Sequence, residues 1–151
     1  MSIAEGKPAP AFTLPAHGGA TVASKALAGK PYVLYFYPKA DTSGCTKEAL
    51  QFQALLPEFA KKGAAVIGVS RDPVKALDKF AAKYGLGFAL ASDEAGSLTE
   101  AYGVWVEKSM YGKKYMGIER STFLVNADGK IKKIWNKVKV DGHAAEVLAA
   151  L

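Results

Sequence analysis

Apolar residues follow two alternating patterns along the chain, which predict strands and helices that succeed one another. The runs 32–37, 64–70 and 88–91 are almost continuously apolar, as is typical of short strands buried on both faces of a sheet. Between them, residues 45–62 and 72–84 repeat apolar side chains every three or four positions, which predicts amphipathic helices. Strands that alternate with helices favour parallel pairing through right-handed crossovers.

Two hairpins complete the predicted fold. Residues 10–14 and 20–23 flank a His-Gly-Gly turn, which predicts an N-terminal hairpin, and a hairpin over 121–135 that turns at Asp128-Gly129 adds antiparallel strands to the sheet. The whole pattern predicts an α/β fold in a single domain, residues 1–151, with a mixed central sheet flanked by helices.

The other elements are short. We expect a helical turn over 24–27, a kink or split at Pro57, and a helix that Ser92 or Asp93 caps and that runs to about Ala101. Residues 103–119 are expected to be mostly irregular, and a last helix covers 143–151.

Composition places the chain among globular proteins and excludes several kinds of site. Half of the 151 residues are hydrophobic and 23% are charged, so the chain can bury a core without disulfides or metal. A single cysteine excludes an intramolecular disulfide and any zinc site built on paired cysteines. The two histidines, His17 and His143, are too few and too far apart to indicate another metal site, and we expect both to be exposed, one in a turn and the other at a helix start. We expect no metal and no cofactor.

The net charge of +6 raises the question of an anionic partner. The lysines are scattered, and those of residues 130–139 alternate with apolar side chains, which favours the solvated face of a strand over a nucleic-acid surface. The N-terminus lacks the basic start and apolar stretch of a signal peptide, and no run reaches the roughly 18 apolar residues of a membrane span. We therefore expect a cytoplasmic protein that does not enter a membrane.

The single cysteine, Cys45, lies where a buried strand gives way to a helix. The strand ends at Pro38, a turn of small and polar residues follows, and the helical pattern opens at Cys45. A helix N-terminus carries partial positive charge and unpaired N–H groups, which favour a thiolate and lower a cysteine pKa from its usual value of about 8.5. Sites in such sheets form beyond the carboxyl ends of parallel strands. We predict a reactive nucleophile at Cys45.

Neighbouring residues could assist that thiolate. The hydroxyl of Thr42, three residues earlier, can reach the sulfur or a bound oxygen, and Pro38 shields the thiol from bulk water. A cation would complete the site, because a guanidinium stays charged and donates in a fork. Arg71 and Arg120 are the two arginines, both at strand edges, and either could face Cys45.

Two segments carry a specific resemblance to a known family. The pattern Pro-x-x-x-Thr-x-x-Cys covers residues 38–45, and Gly-Ile-Glu-Arg-Ser-Thr-Phe-Leu-Val covers residues 117–125. On these residues the chain resembles the peroxiredoxins, and it is most similar to the bacterioferritin-comigratory (Q-type) subfamily. The resemblance extends from residues 6–14 to residues 142–148.

The resemblance implies a thioredoxin-like fold and the reduction of hydrogen peroxide and organic hydroperoxides without a cofactor. It implies that Cys45 is the peroxidatic nucleophile, that Thr42 and Arg120 polarise the peroxide, and that Pro38 shields the thiol. Glu48 is then a charge at the helix start or a partner that orients Arg120. Met110, Tyr111 and Tyr115 are candidates for the wall of an apolar substrate mouth.

One departure from the subfamily concerns the return of Cys45 to its reduced form. Many Q-type members have a resolving cysteine five residues on, where this chain has Leu50, and Ser43 stands where a proline is common. We expect a 1-Cys enzyme, recycled by an external thiol such as thioredoxin, glutaredoxin or a small thiol, and present as a monomer or weak dimer. The alternative is a thioredoxin-fold binding or chaperone-like module that has lost turnover, and a weaker one is a nucleic-acid-associated domain.

Overall fold

A five-stranded mixed sheet forms the centre of the protein, in a computed structural model that describes residues 3–151. The first two residues of the expected domain lie outside the described part. In chain order the strands of this sheet are β3 (Tyr32–Phe36), β4 (Ala65–Ser70), β5 (Ala89–Ser92), β8 (Ser121–Val125) and β9 (Ile131–Trp135), and the others are β1 (Thr13–Pro15), β2 (Thr21–Ala23), β6 (Trp105–Met110) and β7 (Lys113–Ile118).

The strand order β5-β4-β3-β8-β9 confirms the predicted mixed sheet. β3 pairs with β4 and β4 with β5 in parallel, whereas β8 and β9 are antiparallel to their neighbours. β3 is therefore central, and all five of its side chains are buried. β1 and β2 form the predicted N-terminal hairpin around a 3-10 turn at His17–Gly19, and another 3-10 turn spans Ser24–Leu27.

Helices cover both faces of the sheet, as the pattern predicts. One core layer lies between the sheet and the three helices α1, α3 and α5, with α2 at its edge, and the second lies beneath the N-terminal hairpin and α4. Tyr35 and Phe36, neighbours on β3, point to opposite layers, as alternate strand residues must. The helices are α1 (Ser43–Ala54), α2 (Leu56–Lys61), α3 (Val74–Tyr84), α4 (Ser97–Ala101) and α5 (His143–Ala149).

Two helices begin at residues other than those expected. The helix expected from Cys45 begins at Ser43, and the split predicted at Pro57 is confirmed, because the helix divides at Leu55, two residues earlier. The helix after β5 begins only at Ser97. Asp93 still caps it as expected, since its carboxylate accepts hydrogen bonds from the N–H groups of Leu98 and Thr99.

The largest error concerns residues 103–119, expected to be mostly irregular. They form the antiparallel hairpin β6–β7, whose strands pair from Trp105 with Ile118 to Met110 with Lys113. The turn between them places Tyr111 and Gly112 at φ of 53° and 78°. Tyrosine rarely adopts positive φ, and two-residue hairpin turns usually have asparagine or aspartate before the glycine. The Tyr111-Gly112 sequence therefore does not indicate a hairpin.

Candidate active site

Cys45 lies in the first turn of α1, just beyond the carboxyl end of β3. Its side chain is only 2% exposed and faces the core layer beneath the helix. The first helical hydrogen bond runs from the N–H of Thr46 to the carbonyl of Thr42, so the N–H of Cys45 precedes the bonded part of the helix. The thiol therefore sits at the positive end of the helix dipole, as predicted.

Arg120 is the arginine that faces this thiol. Its Nη2 lies 3.3 Å from Cys45 Sγ and donates to the sulfur, although 75 residues separate the two in sequence. Arg120 directly precedes β8, which pairs with β3, and this pairing brings the arginine to the strand end that leads to Cys45. Gly44 lets the helix approach closely, since a Cβ there would lie 3.2 Å from the same Nη2 atom.

Arg71, the other candidate, is held elsewhere. Its Nε donates to Thr99 Oγ1 at 2.9 Å, its Nη2 donates to the carbonyl of Gly96, and its guanidinium lies 3.4 Å from the ring centroid of Trp105. These contacts fix Arg71 against α4 and β6. The structure thus resolves the choice between the two arginines in favour of Arg120.

Glu48 holds the opposite end of the Arg120 guanidinium. Its Oε1 accepts a hydrogen bond from Nη1 at 2.5 Å, and its side chain is 1% exposed. Burial raises the pKa of Glu48 to about 7, although the charge and hydrogen bond of Arg120 act to lower it. For Arg120, burial acts to lower the pKa, but Glu48 and Cys45 raise it above its ordinary value, so the guanidinium stays charged. Glu48 is the orienting partner that the sequence suggested.

Aromatic rings from β3 form the floor of the site. Tyr35 stacks on Phe52 of α1 with ring centroids 4.6 Å apart, and its ring also covers Gly68 of β4, where a Cβ would lie 2.9 Å from it. Burial raises the pKa of Tyr35 and of Tyr37, with smaller contributions from Cys45 and Glu48. Both phenols therefore remain neutral, and they keep water away from the buried side of Cys45.

Thr42 and Pro38 lie on the turn that leads to Cys45, and both are exposed. The Thr42 hydroxyl donates to the carbonyl of Lys39 at 2.8 Å. No hydrogen bond joins this hydroxyl to Cys45 within residues 3–151. Its oxygen still has lone pairs, and rotation about χ1 would redirect its proton.

Contacts from β4 and α3 fix the shape of this turn. Asp41 adopts a left-handed φ of 60°. Its carboxylate accepts hydrogen bonds from Tyr84 Oη at 2.6 Å and Lys83 Nζ at 3.0 Å. The N–H of Ala40 donates to Asp72 Oδ2 at 2.8 Å. The backbone of this turn is thus held by contacts between groups that lie 32 to 43 residues apart in sequence.

Two residues near the site were missed or misjudged from the sequence. Lys108, on β6, has a pKa lowered by burial and by the charge of Arg120, while Cys45 and Glu119 act to raise it. Only the pairing of β6 with β7 would have indicated that Lys108 lies near the site, and this hairpin was not predicted from the sequence. His143, expected to be exposed, is buried, and its Nε2 lies 2.7 Å from Thr122 Oγ1.

Within residues 3–151, no three side chains of the metal-binding types come together in a cluster. None of the helices in this part of the chain combines the length and the hydropathy that crossing a bilayer requires. The candidates for a substrate mouth, Met110, Tyr111 and Tyr115, are all exposed on the hairpin β6–β7.

Comparison with known proteins identifies the family. Residues 5–134 match the AhpC/TSA family. Peroxiredoxin Bcp of Xanthomonas campestris is 54% identical over 146 residues, which cover 95% of this chain and 91% of that protein.

Solved structures agree in fold. A structure of the Xanthomonas campestris bacterioferritin comigratory protein, described for its alkyl peroxide reduction activity, has a TM-score of 0.88 at 52% identity and covers 92% of this chain and 88% of its own. A cysteine-to-serine mutant of Xylella fastidiosa PrxQ has a TM-score of 0.93 at 41% identity and covers 99% of this chain and 95% of its own. The thioredoxin-like peroxiredoxin fold is confirmed.

Thiol-dependent peroxide reduction is the function of this family, and the one cysteine of this chain fits a peroxidase of the 1-Cys kind. The chain belongs to the AhpC/TSA family, as a peroxiredoxin enzyme of the Bcp and PrxQ type that has no resolving cysteine.

Proposed function

We propose that residues 1–151 form one peroxidase domain in which Cys45 is the nucleophile and Arg120 polarises the reacting groups. The observation that carries this proposal is the 3.3 Å contact between Arg120 Nη2 and Cys45 Sγ at the start of a helix. A partly buried guanidinium beside a buried thiol stabilises the thiolate, because the opposite charge lies within hydrogen-bond distance of the sulfur.

In the oxidation step, the Cys45 thiolate attacks one oxygen of the hydroperoxide. An S–O bond forms, the O–O bond breaks, and the other oxygen leaves as hydroxide or alkoxide, which takes up a proton to give water or an alcohol. The product at Cys45 is a sulfenic acid, the first stage of cysteine oxidation. No metal or organic cofactor takes part.

Negative charge moves from sulfur to the departing oxygen in this step, so fixed donors around both atoms lower the barrier. Arg120 is preorganised for this role, because Glu48 Oε1 holds its Nη1 and leaves Nη2 directed at the sulfur. The unpaired N–H groups at the start of α1 add further donors. Thr42 joins them once its hydroxyl turns from the Lys39 carbonyl toward the peroxide, and Pro38 limits the access of water from the turn.

The reduction step needs a thiol from another molecule, because Cys45 is the only cysteine in the sequence. That thiol attacks the sulfenic sulfur, water leaves, and a mixed disulfide forms. A second thiol then attacks the reductant's sulfur, and Cys45 is released as a thiolate. Since Cys45 is 2% exposed, the first turn of α1, which contains Ser43 and Gly44, opens for this exchange.

The substrates in this proposal are hydrogen peroxide and organic hydroperoxides, and the reductant is thioredoxin, glutaredoxin or a small thiol. The alkyl peroxide reduction described for the Xanthomonas campestris protein supports the organic substrates. We place the enzyme in the cytoplasm as a monomer or weak dimer. Neither nucleic acid nor a membrane takes part in the cycle.

Peroxide consumption with and without Cys45 tests the proposal. The protein is supplied with dithiothreitol and hydrogen peroxide or cumene hydroperoxide, and the loss of peroxide is followed. The unmodified protein consumes both peroxides catalytically, whereas Cys45→Ser consumes neither beyond the rate of dithiothreitol alone. Full activity in the serine variant would refute the assignment of the nucleophile.

A further inference from the structure

The hairpin β6–β7 carries most of the exposed large hydrophobic side chains in the described part of the chain. Four of the five exposed large hydrophobic side chains lie on it, namely Met110, Tyr111, Tyr115 and Met116, with exposed fractions between 44% and 99%. Exposed apolar side chains grouped in this way mark interaction surfaces on otherwise polar proteins.

The two faces of this hairpin differ in what they adjoin. Side chains that pair directly across antiparallel strands point to the same face. One face therefore holds Trp105 and Ile118, and the Trp105 ring packs under the Arg71 guanidinium. The opposite face carries Val106, Lys108, Met110, Lys113, Tyr115 and Gly117, and we name its four long side chains, Lys108, Met110, Lys113 and Tyr115, the hairpin platform.

The platform is built on a glycine. A Cβ at Gly117 would lie 3.2 Å from Lys108 Cδ and 3.4 Å from Tyr115 Cε2, so both side chains lie across the bare backbone. The platform also lies near the active site. Lys108 lies across Gly117, the three residues from Gly117 to Arg120 span at most about 10 Å of chain, and Arg120 contacts Cys45.

The two lysines of the platform have no ion-pair partner among residues 3–151. Neither Lys108 nor Lys113 forms an ion pair with any carboxylate of residues 3–151, whereas Lys114, on the other face, pairs with Glu107. A partner that presents carboxylates around an apolar centre would match the two ammonium groups and the Met110 and Tyr115 side chains.

We propose that the hairpin platform is the docking surface for a protein dithiol, which reduces oxidised Cys45 and presents an apolar patch with acidic residues around its attacking cysteine. The inference rests on the proposed function, since it supplies the external thiol that a chain with one cysteine requires. Met110 and Tyr115 contact the apolar patch, and Lys108 and Lys113 contact its carboxylates. A small thiol needs none of these contacts.

The test uses a mixed disulfide between Cys45 and 5-thio-2-nitrobenzoate, so that it does not depend on peroxide chemistry. Release of the coloured thiolate is followed after mixing with a reduced bacterial thioredoxin or with dithiothreitol. For the double variant Met110→Ser, Tyr115→Ser, we expect the rate constant with thioredoxin to fall about tenfold or more, and that with dithiothreitol to change by less than about twofold.

A matched control comes from the opposite face. Met116 is as exposed as Met110, at 50% against 56%, so Met116→Ser removes a similar side chain from the same hairpin. We expect it to leave the thioredoxin rate unchanged. Lys113→Gln should lower that rate and weaken its dependence on salt, and Lys114→Gln should do neither.

Several results would overturn the proposal. One is a thioredoxin rate constant that falls equally in the double variant and in Met116→Ser. A second is a rate constant of the double variant that falls equally with dithiothreitol and with thioredoxin, and a third is failure of thioredoxin to reduce the adduct of the unmodified protein. A double variant that keeps its thioredoxin rate but loses self-association in sedimentation, or loses binding to phosphatidylglycerol vesicles, would assign the platform to a second copy or to a lipid surface. Failure of the proposed function would give a different result. Peroxide would then not oxidise Cys45, while thioredoxin would still reduce the Cys45 adduct at a rate that depends on the platform.

Discussion

Glu48 and Arg120 form an ion pair beneath the first turns of α1, with 2.5 Å between Oε1 and Nη1, in which Glu48 is buried and Arg120 is partly buried. The pair joins a helix to the start of a strand 72 residues away, and it leaves the second guanidinium nitrogen to donate to Cys45. If Arg120 turned toward solvent, the charge of the buried Glu48 carboxylate would be left without a partner, which is costly. The arrangement fixes a donor at the reacting sulfur before the peroxide arrives.

Arg120→Lys tests this two-sided contact while retaining the positive charge. A lysine cannot donate to Glu48 and Cys45 at once from a planar fork, so we expect the oxidation of Cys45 by hydrogen peroxide to slow by about a hundredfold. Stopped-flow kinetics of the oxidation step measures the effect. Arg71→Lys is the matched control, because Arg71 contacts Thr99 and Trp105. In this variant, Cys45 should be oxidised at the same rate as in the unmodified protein.

Glu48→Gln tests the consequence of burying a carboxyl whose pKa is about 7. The folded protein holds this proton more tightly than the unfolded chain, so the contribution of Glu48 to stability is greatest at low pH and is lost as the pH rises through about 7. As the pH rises from 5 to 8, the free energy of unfolding of the unmodified protein should fall relative to that of Glu48→Gln. Urea unfolding at several pH values measures the difference, and parallel curves for the two proteins would contradict it.

His143 should produce a dependence of the opposite sign. Burial lowers its pKa below the usual value, Arg120 contributes in the same direction, and Glu146, at 3.8 Å, acts to raise it. The unfolded chain therefore binds the proton more readily, and the contribution of His143 is present above about pH 6.5 and lost as the pH falls below it.

His143→Gln keeps a hydrogen-bonding group beside Thr122 Oγ1 but does not titrate. We expect this variant to be less stable than the unmodified protein at pH 8 and to lose less stability between pH 7 and pH 5. The same urea unfolding series measures both. A loss on acidification that is equal in the two proteins would show that His143 does not contribute to it.

Leu50→Cys asks whether α1 must unwind for the thiol to exchange. Leu50 is 42% exposed, whereas Cys45 faces the core. Five residues of helix rise about 7.5 Å, beyond the roughly 7 Å between Cα atoms that a disulfide spans. Peroxide should therefore form an intramolecular disulfide in this variant only with a loss of far-UV helical signal. Leu50→Ser is the control. A disulfide that forms while the far-UV helical signal stays unchanged would contradict the expectation that the intact helix prevents the exchange.

Most of the sheet could be predicted because its strands are buried on both faces and therefore consist of continuous apolar runs. The hairpin β6–β7 could not be, because its side chains are largely exposed and no apolar alternation is needed to fold it. Its turn uses Tyr111 at positive φ, where asparagine or aspartate would have given a recognisable signal.

The candidate site shows the same division. The position of Cys45 at a strand-to-helix turn follows from local pattern, but the choice between Arg71 and Arg120 does not. The strands next to both arginines, β4 and β8, lie beside β3, and what separates the two is that Arg71 is held by Thr99, Gly96 and Trp105, which are distant in sequence. The burial of His143 depends on the packing of α5 against α1, which brings it edge-on to Phe52. Local sequence thus indicates where Cys45 lies, and long-range contacts determine which side chains face it.

The most direct test of the account is the rate at which one equivalent of hydrogen peroxide oxidises Cys45, followed by rapid-quench mass spectrometry without oxygen. The account predicts that one oxygen atom is added at Cys45 orders of magnitude faster than to a free cysteine at the same pH, and that Arg120→Lys slows this addition. Oxidation no faster than that of a free thiol would contradict the account, because the donors around Cys45 would then give no rate advantage.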